Sequence, residues 1–189
     1  MVSCNSKKRS RKTLSNVAQR PPKREPQIPE APVTLDETGE ALSALVTEII
    51  SPKFEVEIGA AVDEVTVTVK PEDIPALCLA ARDDERLDFN YLRCLSVVDY
   101  NDRLEVNYHL FSLDKRHKMA VKTNLSPDDA VVGTVIEVWA GADWYEREGH
   151  DLFGVTFAGH PNLVPLLLYE GFEGFPGLKS FPFHEYEEW

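Results

Sequence analysis

One short stretch of the chain concentrates the side chains that could do chemistry. Residues 144–154 read WYEREGHDLFG, and they bring Glu146, Arg147, Glu148, His150 and Asp151 close together in sequence. Carboxylates beside a histidine could act as a general acid and base, could ligate a metal ion, or could form charged contacts with another protein. Which of the three possibilities applies depends on the helices and strands that position these side chains.

A helix is expected to carry this stretch. Asp143 is placed to cap it, Trp144 would be its first residue, and Glu146 stands at the third helical position, as in a capping box. Gly154 is placed to end the helix in a left-handed conformation. The sequence therefore predicts that the candidate side chains are fixed on the faces of one short helix.

The charges separate on a helical wheel drawn at about 100° per residue. Glu148 falls within the apolar stripe, with Asp151 beside it, whereas Glu146 and His150 project away from the stripe. The stripe itself is predicted at Trp144, Tyr145 and Leu152. The wheel therefore places one carboxylate, that of Glu148, on the face that the helix would bury.

Glu148 is the most informative of these residues, because a carboxylate on an apolar face must find a donor or shift its pKa. It could form a structural ion pair, with Arg147 as one possible partner. It could instead contact a basic group of another chain, or serve as a general acid or base. Arg147 also stands four residues before Asp151, a spacing that allows those two side chains to pair.

A metal site is a further alternative, because four possible ligands lie close in sequence: Glu148, His150, Asp151 and His160. The spacing HExxH is absent, and a glycine at the predicted helix end separates His160 from the other three. The pattern therefore does not favour a metal centre over the other interpretations.

The residues around His160 predict local structure instead. His160 and Pro161 are expected to form a turn, and Asn162 to cap a short helix over residues 163–168. The remaining histidines are predicted to be solvent-exposed rather than ligands; they are His109, His117 and His184.

Charge is distributed unevenly along the 189 residues, whose formal net charge is −12. Residues 1–25 hold eight Lys or Arg and one acid, so residues 26–189 hold 12 basic and 31 acidic side chains, a balance of −19. An acidic body argues against nucleic acid as the main partner. Residues 1–33 also contain five prolines and no hydrophobic period, which predicts a disordered arm.

The three cysteines, at positions 4, 78 and 94, do not fall in a CxxC or similar spacing. Their thiolates alone could therefore build neither an iron–sulfur site nor a zinc site. An odd number of cysteines without a signal peptide is typical of a reducing compartment. No apolar run approaches the length of about 18 residues that would span a bilayer.

Periodicity predicts the remaining elements. Thr34 and Glu37 fit a capping box that opens one helix, and Pro71 opens a second whose buried side would be Ile74, Leu77, Cys78 and Ala81. Alternating patterns predict five strands, around residues 54–58, 65–69, 90–98, 104–110 and 119–123. These elements predict an α+β fold: a mixed β-sheet with helices on one face, followed by a short helical signature region and an extended C-terminal tail.

Three regions follow from these elements. Residues 1–33 are predicted as the basic, proline-rich arm and residues 34–140 as the α+β domain. Residues 141–189 would hold the signature helix, the Gly-His-Pro turn and an extended tail. That tail is aromatic and acidic, so it is expected either to wrap its own core or to dock on a partner.

The stretch WYEREGHDLFGVTFAGHPNL, residues 144–163, resembles the signature of the C-subunit family of NADH-quinone oxidoreductase, a peripheral-arm component of respiratory complex I. Upstream, LRCLSVVDYNDRLEVNYHLFS, residues 92–112, resembles the sheet region of the same family. The resemblance covers about residues 35–183 and leaves out the basic arm. The signature positions met here are Trp144, Glu146, Arg147, Glu148, Asp151, Leu152, Phe153, Gly154, Val155, Phe157, Gly159, His160, Pro161 and Leu163.

The resemblance implies a structural subunit of the hydrophilic arm that has no catalytic residue, cofactor or metal of its own. It implies iron–sulfur clusters, FMN and quinone in partner subunits, and contact with the D subunit, which is related to hydrogenase large subunits. It implies support of electron transfer to quinone coupled to proton translocation in the respiratory chain, at the cytoplasmic face of the cell membrane. Relatives serve membrane-bound hydrogenases and ferredoxin-linked complexes, so an equivalent subunit of those is an alternative. The rival is a stand-alone metal-dependent hydrolase.

The chain departs from the family pattern near its end. Where the family usually continues GHPLRKDFP, residues 174–183 read GFPGLKSFPF, with Lys179 retained. Phe175 stands at the usual His, Leu178 at the usual Arg and Ser180 at the usual Asp. Val164 and Pro165 likewise replace a frequently basic pair. Charges that would tie these segments to neighbouring subunits are therefore absent.

Overall fold

The computed structural model describes residues 35–182, and within them the first helix begins later than the sequence predicts. Helix α1 spans Glu37–Ile50, and its N-cap is Asp36, whose carboxylate accepts a hydrogen bond from the backbone N–H of Gly39 at 2.7 Å. The cap predicted at Thr34 is therefore wrong. The carboxylate two residues later takes the capping position because it reaches the free amides of the first turn.

A mixed sheet forms the body of the fold. Its strands run in the order β1-β2-β5-β4-β3; β2 and β5 are parallel, and the other neighbours are antiparallel. The five predicted strands are thereby confirmed, and the bounds are β1 Val56–Ala61, β2 Glu64–Val69, β3 Tyr91–Asp99, β4 Leu104–Phe111 and β5 Lys118–Leu125.

Two helices pack on one face of this sheet and close the core. Helix α2 spans Ile74–Asp83, after a short 3-10 turn at Pro71–Asp73. Its four predicted inner residues are all buried, as are Leu42, Val46, Ile49 and Ile50 of α1. On the strands, Val67, Val106 and Val121 point into the same cluster. The predicted α+β architecture is therefore confirmed.

A second, small sheet is not predicted by the sequence. Strands β6, Val131–Gly133, and β7, Thr156–Ala158, pair in parallel, and helix α3, Ala142–Phe153, connects them. Three-residue strands are too short for an alternating pattern to be recognised. The helix predicted over residues 163–168 is wrong, because this segment has no regular structure.

No helix among residues 35–182 is both long enough and apolar enough to cross a membrane. The predicted arm, Cys4 and Thr34 lie outside the described residues, and so does the end of the tail from Phe183, including His184.

Candidate docking surface

Helix α3 begins without the predicted side-chain cap. Its first residue is Ala142 and its N-cap is Gly141, with no hydrogen bond from a capping side chain. Asp143 lies within the helix, and its Oδ1 atom is 3.1 Å from Nε2 of His160. The capping role predicted for Asp143 is therefore wrong, and its carboxylate faces the Gly-His-Pro turn instead.

The inner face of α3 is the opposite of the one that the wheel predicts. Glu146 is fully buried, whereas Trp144 is 64% exposed and Glu148 is exposed. The prediction assigned the large apolar side chains to the core. The helix instead buries Ala142, Glu146 and Gly149, which recur at helical spacing. Glu148 is therefore a surface residue and Glu146 an interior one.

Close packing explains why small residues face inward. A Cβ atom added at Gly149 would lie 3.0 Å from Cγ2 of Val97 on β3 and 3.3 Å from the ring of Phe157 on β7. The absence of a side chain at Gly149 thus lets the helix axis approach the sheet. Phe157 itself is almost completely buried beneath it.

The buried carboxylate of Glu146 binds the chain just after β6. The hydroxyl of Thr134 donates to its Oε2 atom at 2.5 Å, and the backbone N–H of Val135 donates to its Oε1 atom at 2.7 Å. Burial raises the pKa of Glu146, and these two hydrogen bonds only partly oppose that effect. Glu146 is thus a structural acceptor that ties α3 to the small sheet.

Arg147 and Asp151 do not pair with each other, contrary to the prediction. The guanidinium of Arg147 donates to the backbone carbonyls of Val164 and Pro165, each at 3.0 Å. Oδ2 of Asp151 accepts the backbone N–H groups of three consecutive leucines, Leu166 at 3.1 Å and Leu167 and Leu168 at 2.8 Å. The two side chains together hold the segment 164–168, which we call the leucine loop.

The backbone N–H donors of the leucine loop stabilise the charged form of Asp151. Burial would raise its pKa, but the three N–H donors outweigh burial and lower the pKa below its ordinary value. The leucine loop is therefore fixed by charge-assisted hydrogen bonds, although it has no regular secondary structure.

The end of α3 agrees with the prediction. Gly154 adopts the left-handed conformation, with φ at 75°, and its N–H donates to the carbonyl of His150. The ring of Phe175 lies against Gly154, where an added Cβ would be 2.8 Å from a ring carbon. The Nδ1–H of His150 donates to the carbonyl of Val155 at 2.9 Å.

The divergent segment near the end of the chain is held by contacts within the chain. The backbone N–H of Gly177 donates to the carbonyl of Leu152 at 2.8 Å, and that of Lys179 donates to Asp99 at 2.7 Å. Leu178, which replaces the usual Arg, packs on the hydrophobic core. Apolar and backbone contacts thus occupy the positions where family charges would stand.

The Gly-His-Pro turn is present as predicted. Gly159 has a φ of 87°, Pro161 is exposed, and the backbone N–H of Asn162 donates to Nδ1 of His160 at 3.1 Å. Since Nδ1 accepts, the neutral ring carries its proton on Nε2, which faces Asp143. Asn162 therefore closes a turn, and the prediction that it caps a helix is wrong.

The possible metal ligands face different partners. Glu148 is exposed, His150 binds Val155, Asp151 binds the leucine loop, and His160 faces Asp143. Across residues 35–182, no group of three or more His, Cys, Asp or Glu side chains is arranged to hold a metal ion.

Two other histidines are half-buried rather than exposed. Nδ1 of His109 is 3.3 Å from Glu64, and Nε2 of His117 is 2.6 Å from the carbonyl oxygen of Leu87. The prediction of solvent exposure is therefore wrong for both, because His109 has a partner on β2 and His117 has one in the segment between α2 and β3.

An open groove lies between α3, the start of β3 and the leucine loop. Trp144, Leu167 and Tyr91 expose 64%, 60% and 48% of their surfaces there. The groove has a volume of about 510 Å³, and we call it the aromatic groove; its lining is Tyr91, Leu92, Gly141, Trp144, Tyr145, Glu148, Leu166 and Leu167. Large exposed apolar side chains gathered around one depression are typical of a protein-binding surface.

Sequence reasoning missed the partners that build this surface. Thr134 belongs to no recognisable motif, and the sequence predicts a helix over the leucine loop. One signal was present: Gly149 lies three residues after Glu146, so the two small or polar residues share a face. That spacing could have placed Glu146 on the inside.

The described geometry is similar to that of known proteins. A chain of an archaeal membrane-bound sulfane sulfur reductase shares the fold, with a TM-score of 0.64 at 23% identity, covering 75% of this chain and 86% of that chain. A trypsin-resistant fragment of Nqo5 gives a TM-score of 0.52 at 25% identity, covering 65% of this chain and 98% of that fragment.

Several proteins are similar to this chain in sequence. The NADH-quinone oxidoreductase C subunit 2 of Rhizobium etli is 40% identical over 123 residues, covering 64% of this chain and 65% of the relative. The C subunit of Acidithiobacillus ferrooxidans is 41% identical over 128 residues, covering 63% of each chain. The C subunit of Chloroherpeton thalassium is 36% identical over 155 residues, covering 81% of this chain and 60% of the relative. The chain thus spans under two thirds of the length of these relatives.

The family model described as the respiratory-chain NADH dehydrogenase 30 kDa subunit matches residues 67–187. This match includes strands β3 to β7, helices α2 and α3 and the leucine loop, so it covers three whole strands of the five-stranded sheet and the lining of the aromatic groove. The chain belongs to the family of the respiratory-chain NADH dehydrogenase 30 kDa subunit.

Proposed function

We propose that this chain is a non-catalytic structural subunit of the hydrophilic arm of an NADH-quinone oxidoreductase. In that role it supports electron transfer to quinone that is coupled to proton translocation. Family membership supports the assembly, since the relatives are named as the C subunit of NADH-quinone oxidoreductase. The aromatic groove gives the main support for the structural role. It is an exposed apolar surface, and the family signature supplies part of its lining.

The groove is preorganised for docking. Asp151 and Arg147 both hold the backbone of the leucine loop against α3, so the position of Leu167 on the surface is fixed before a partner binds. Fixing a loop before binding removes part of the entropy cost of association. Trp and Tyr side chains, here Trp144 and Tyr91, are the types that most often dominate binding energy at interfaces.

The polar side chains of α3 support a structural role over catalysis. Glu146 binds Thr134 and Val135 inside the fold, and Asp151 binds backbone amides. These groups therefore already have partners that account for their burial. In our proposal the iron–sulfur clusters, FMN and quinone belong to partner subunits, and no cofactor binds to this chain.

The partner in contact would be the D subunit, which is related to hydrogenase large subunits. The chain would lie at the cytoplasmic face of the cell membrane, with membrane contact only through the complex.

Affinity purification tests the proposal. A tagged full-length chain, expressed in its native cells, should co-purify with iron–sulfur and flavin subunits, and the preparation should reduce quinone with NADH. Recovery of the chain alone, with a stoichiometric bound metal and a hydrolytic activity, would instead support the stand-alone enzyme. Recovery with hydrogenase or ferredoxin-linked subunits would replace NADH-quinone oxidoreductase by a related complex.

A further inference from the structure

The aromatic groove contains one carboxylate to which no described residue offers an ionic partner. Glu148 lies on the groove wall and is exposed. The nearest basic residue in sequence, Arg147, uses its guanidinium on the carbonyls of Val164 and Pro165. Arg93, at the start of β3, pairs with Glu64 at 3.0 Å. The negative charge of Glu148 is therefore available to a group from outside.

The hydroxyl of Tyr145, in the same lining, already has a partner. The hydroxyl of Tyr145 donates to the backbone carbonyl of Arg93 at 3.0 Å. Arg93 is also the residue at which the pairing of β3 with β4 shifts register. The Tyr145 contact thus occupies one backbone carbonyl of the edge strand β3, and the lining of the groove is offered to a partner by side chains.

The groove combines apolar walls with this one charge. Trp144 and Glu148 are four residues apart on α3, so they lie one turn apart on the same face. Leu167 and Tyr91 line the groove together with them. Arginine and lysine have apolar stems and cationic heads, and cations bind favourably over aromatic rings and beside carboxylates.

We propose that the aromatic groove receives a cationic side chain, arginine or lysine, presented by another subunit, with Glu148 as its counter-charge. The proposal rests on the proposed function for the existence of that subunit, and it adds the chemistry of the contact. The stem would lie against Leu167 and Tyr91, and the head would lie between the Trp144 ring and the Glu148 carboxylate.

The charge of Glu148 makes a purely apolar occupant of the groove unfavourable. A leucine or phenylalanine in the groove would cover Glu148 without supplying a partner, and a covered, unpaired carboxylate is strongly unfavourable. A basic partner also complements the body of this chain, which has 31 acidic and 12 basic side chains over residues 26–189. The acidic end of the chain itself, HEYEEW, is a poor occupant for the same reason.

Cross-linking identifies the occupant directly. A photoreactive phenylalanine analogue at position 167 of the full chain, irradiated in the assembled complex, should couple to another subunit. Mass spectrometry should then find an arginine or lysine close to the coupled residue. Coupling to a surface without a basic residue, to a second copy of this chain, or to its own C-terminal end would overturn the proposal.

Charge reversal gives the second arm of the test. Glu148→Lys should lower the amount of assembled complex about tenfold or more, and Glu148→Gln should lower it less. Replacing the cross-linked cation by glutamate should restore assembly of Glu148→Lys. Glu57→Lys is the matched control, because Glu57 is an exposed carboxylate on β1, far from the groove, for which the described residues likewise offer no ion pair. Thermal melting of each variant should show an unchanged fold.

The outcomes separate this inference from the proposed function. Full assembly of Glu148→Lys, in a complex that contains the unsubstituted chain, would overturn the cationic contact and leave the structural role standing. Absence of the unsubstituted chain from every quinone-reducing complex would overturn both.

Discussion

The Oε2 atom of Glu146 lies 2.5 Å from the hydroxyl of Thr134, inside the fold and away from the docking surface. Two residues later on the same helix, Glu148 lies in the open groove. Neighbouring glutamates of one family signature thus have different physical roles. One holds the subunit together, and the other is exposed where a partner can reach it.

Removal of the Glu146 carboxylate should destabilise the chain. Glu146→Ala leaves the buried N–H of Val135 without its acceptor and the Thr134 hydroxyl without its partner. The expected loss in the free energy of unfolding is about 2–4 kcal/mol. Denaturant titration of the full chain measures it. The exposed neighbour provides the control: Glu148→Ala should change stability by no more than about 0.5 kcal/mol. Equal effects of the two variants would contradict the assigned burial.

The pH dependence of stability should have opposite signs for the two buried acids. Burial raises the pKa of Glu146 above 4.5, so its contribution is fully present below that value and is lost as pH rises through the raised pKa. Glu146→Gln does not titrate, and its stability relative to the unsubstituted chain should improve as pH rises from about 4 to about 8.

Asp151 should show the reverse behaviour. Although burial alone would raise its pKa, three backbone N–H donors lower it below 3.8, so its contribution is present above that value and is lost as pH falls through the lowered pKa. The stability of Asp151→Asn relative to the unsubstituted chain should therefore improve as pH falls below about 4. Parallel pH profiles for the two variants would contradict these assignments.

Asp151 should also control the mobility of the leucine loop. Asp151→Ala removes the acceptor of three amides, so hydrogen exchange at Leu166, Leu167 and Leu168 should accelerate about tenfold or more. Asp128→Ala, which changes an exposed aspartate in the loop between β5 and β6, should leave these rates unchanged. Exchange rates that do not differ between the two variants would show that other contacts order the loop.

Two glycines, one within α3 and one at its N-cap, allow a matched test of how closely the helix packs on the sheet. Gly149→Ala should cost about 1–3 kcal/mol, because the new Cβ would approach Val97 to 3.0 Å. Gly141→Ala meets nothing within 4 Å, and it should be neutral or stabilise by up to about 1 kcal/mol. Melting temperatures of the two variants test the difference, and a tolerated Gly149→Ala would argue against close contact of α3 with the sheet.

The sheet could be predicted from the sequence because apolar and polar residues alternate along its strands. On β4, polar residues alternate with Leu104, Val106, Tyr108 and Leu110. This alternation can be recognised without knowing how the strand packs. The bulge at Arg93 and the three-residue strands β6 and β7 left no such pattern. Their pairing depends on residues distant in sequence, which periodicity does not report.

The faces of α3 could not be predicted by the same method. A wheel assigns the largest apolar side chains to the interior, but this helix approaches the sheet through Gly149 and Ala142, and it exposes Trp144. The interior position of Glu146 depends on donors at Thr134 and Val135, which are supplied by another element. Exposed aromatics and a buried acid are the kind of local inconsistency that marks a functional surface.

The departures near the end of the chain have a structural account within the described residues. Phe175 packs on Gly154, and Leu178 packs on the core, so apolar contacts stand where the family usually has His and Arg. In the leucine loop, Val164 and Pro165 stand where the family frequently has a basic pair, and their backbone carbonyls bind Arg147.

We propose that the aromatic groove serves assembly and not chemistry, and Trp144→Ala tests this role most directly. The measurement is the amount of assembled complex on a native gel, together with quinone reduction normalised to that amount. Loss of an interface aromatic typically costs about 2 kcal/mol or more, so assembly should fall roughly thirtyfold while turnover per complex stays unchanged. Leu79→Ala, at an exposed leucine of α2, should leave both quantities unchanged. Normal assembly of Trp144→Ala with a large loss of turnover per complex would contradict the account.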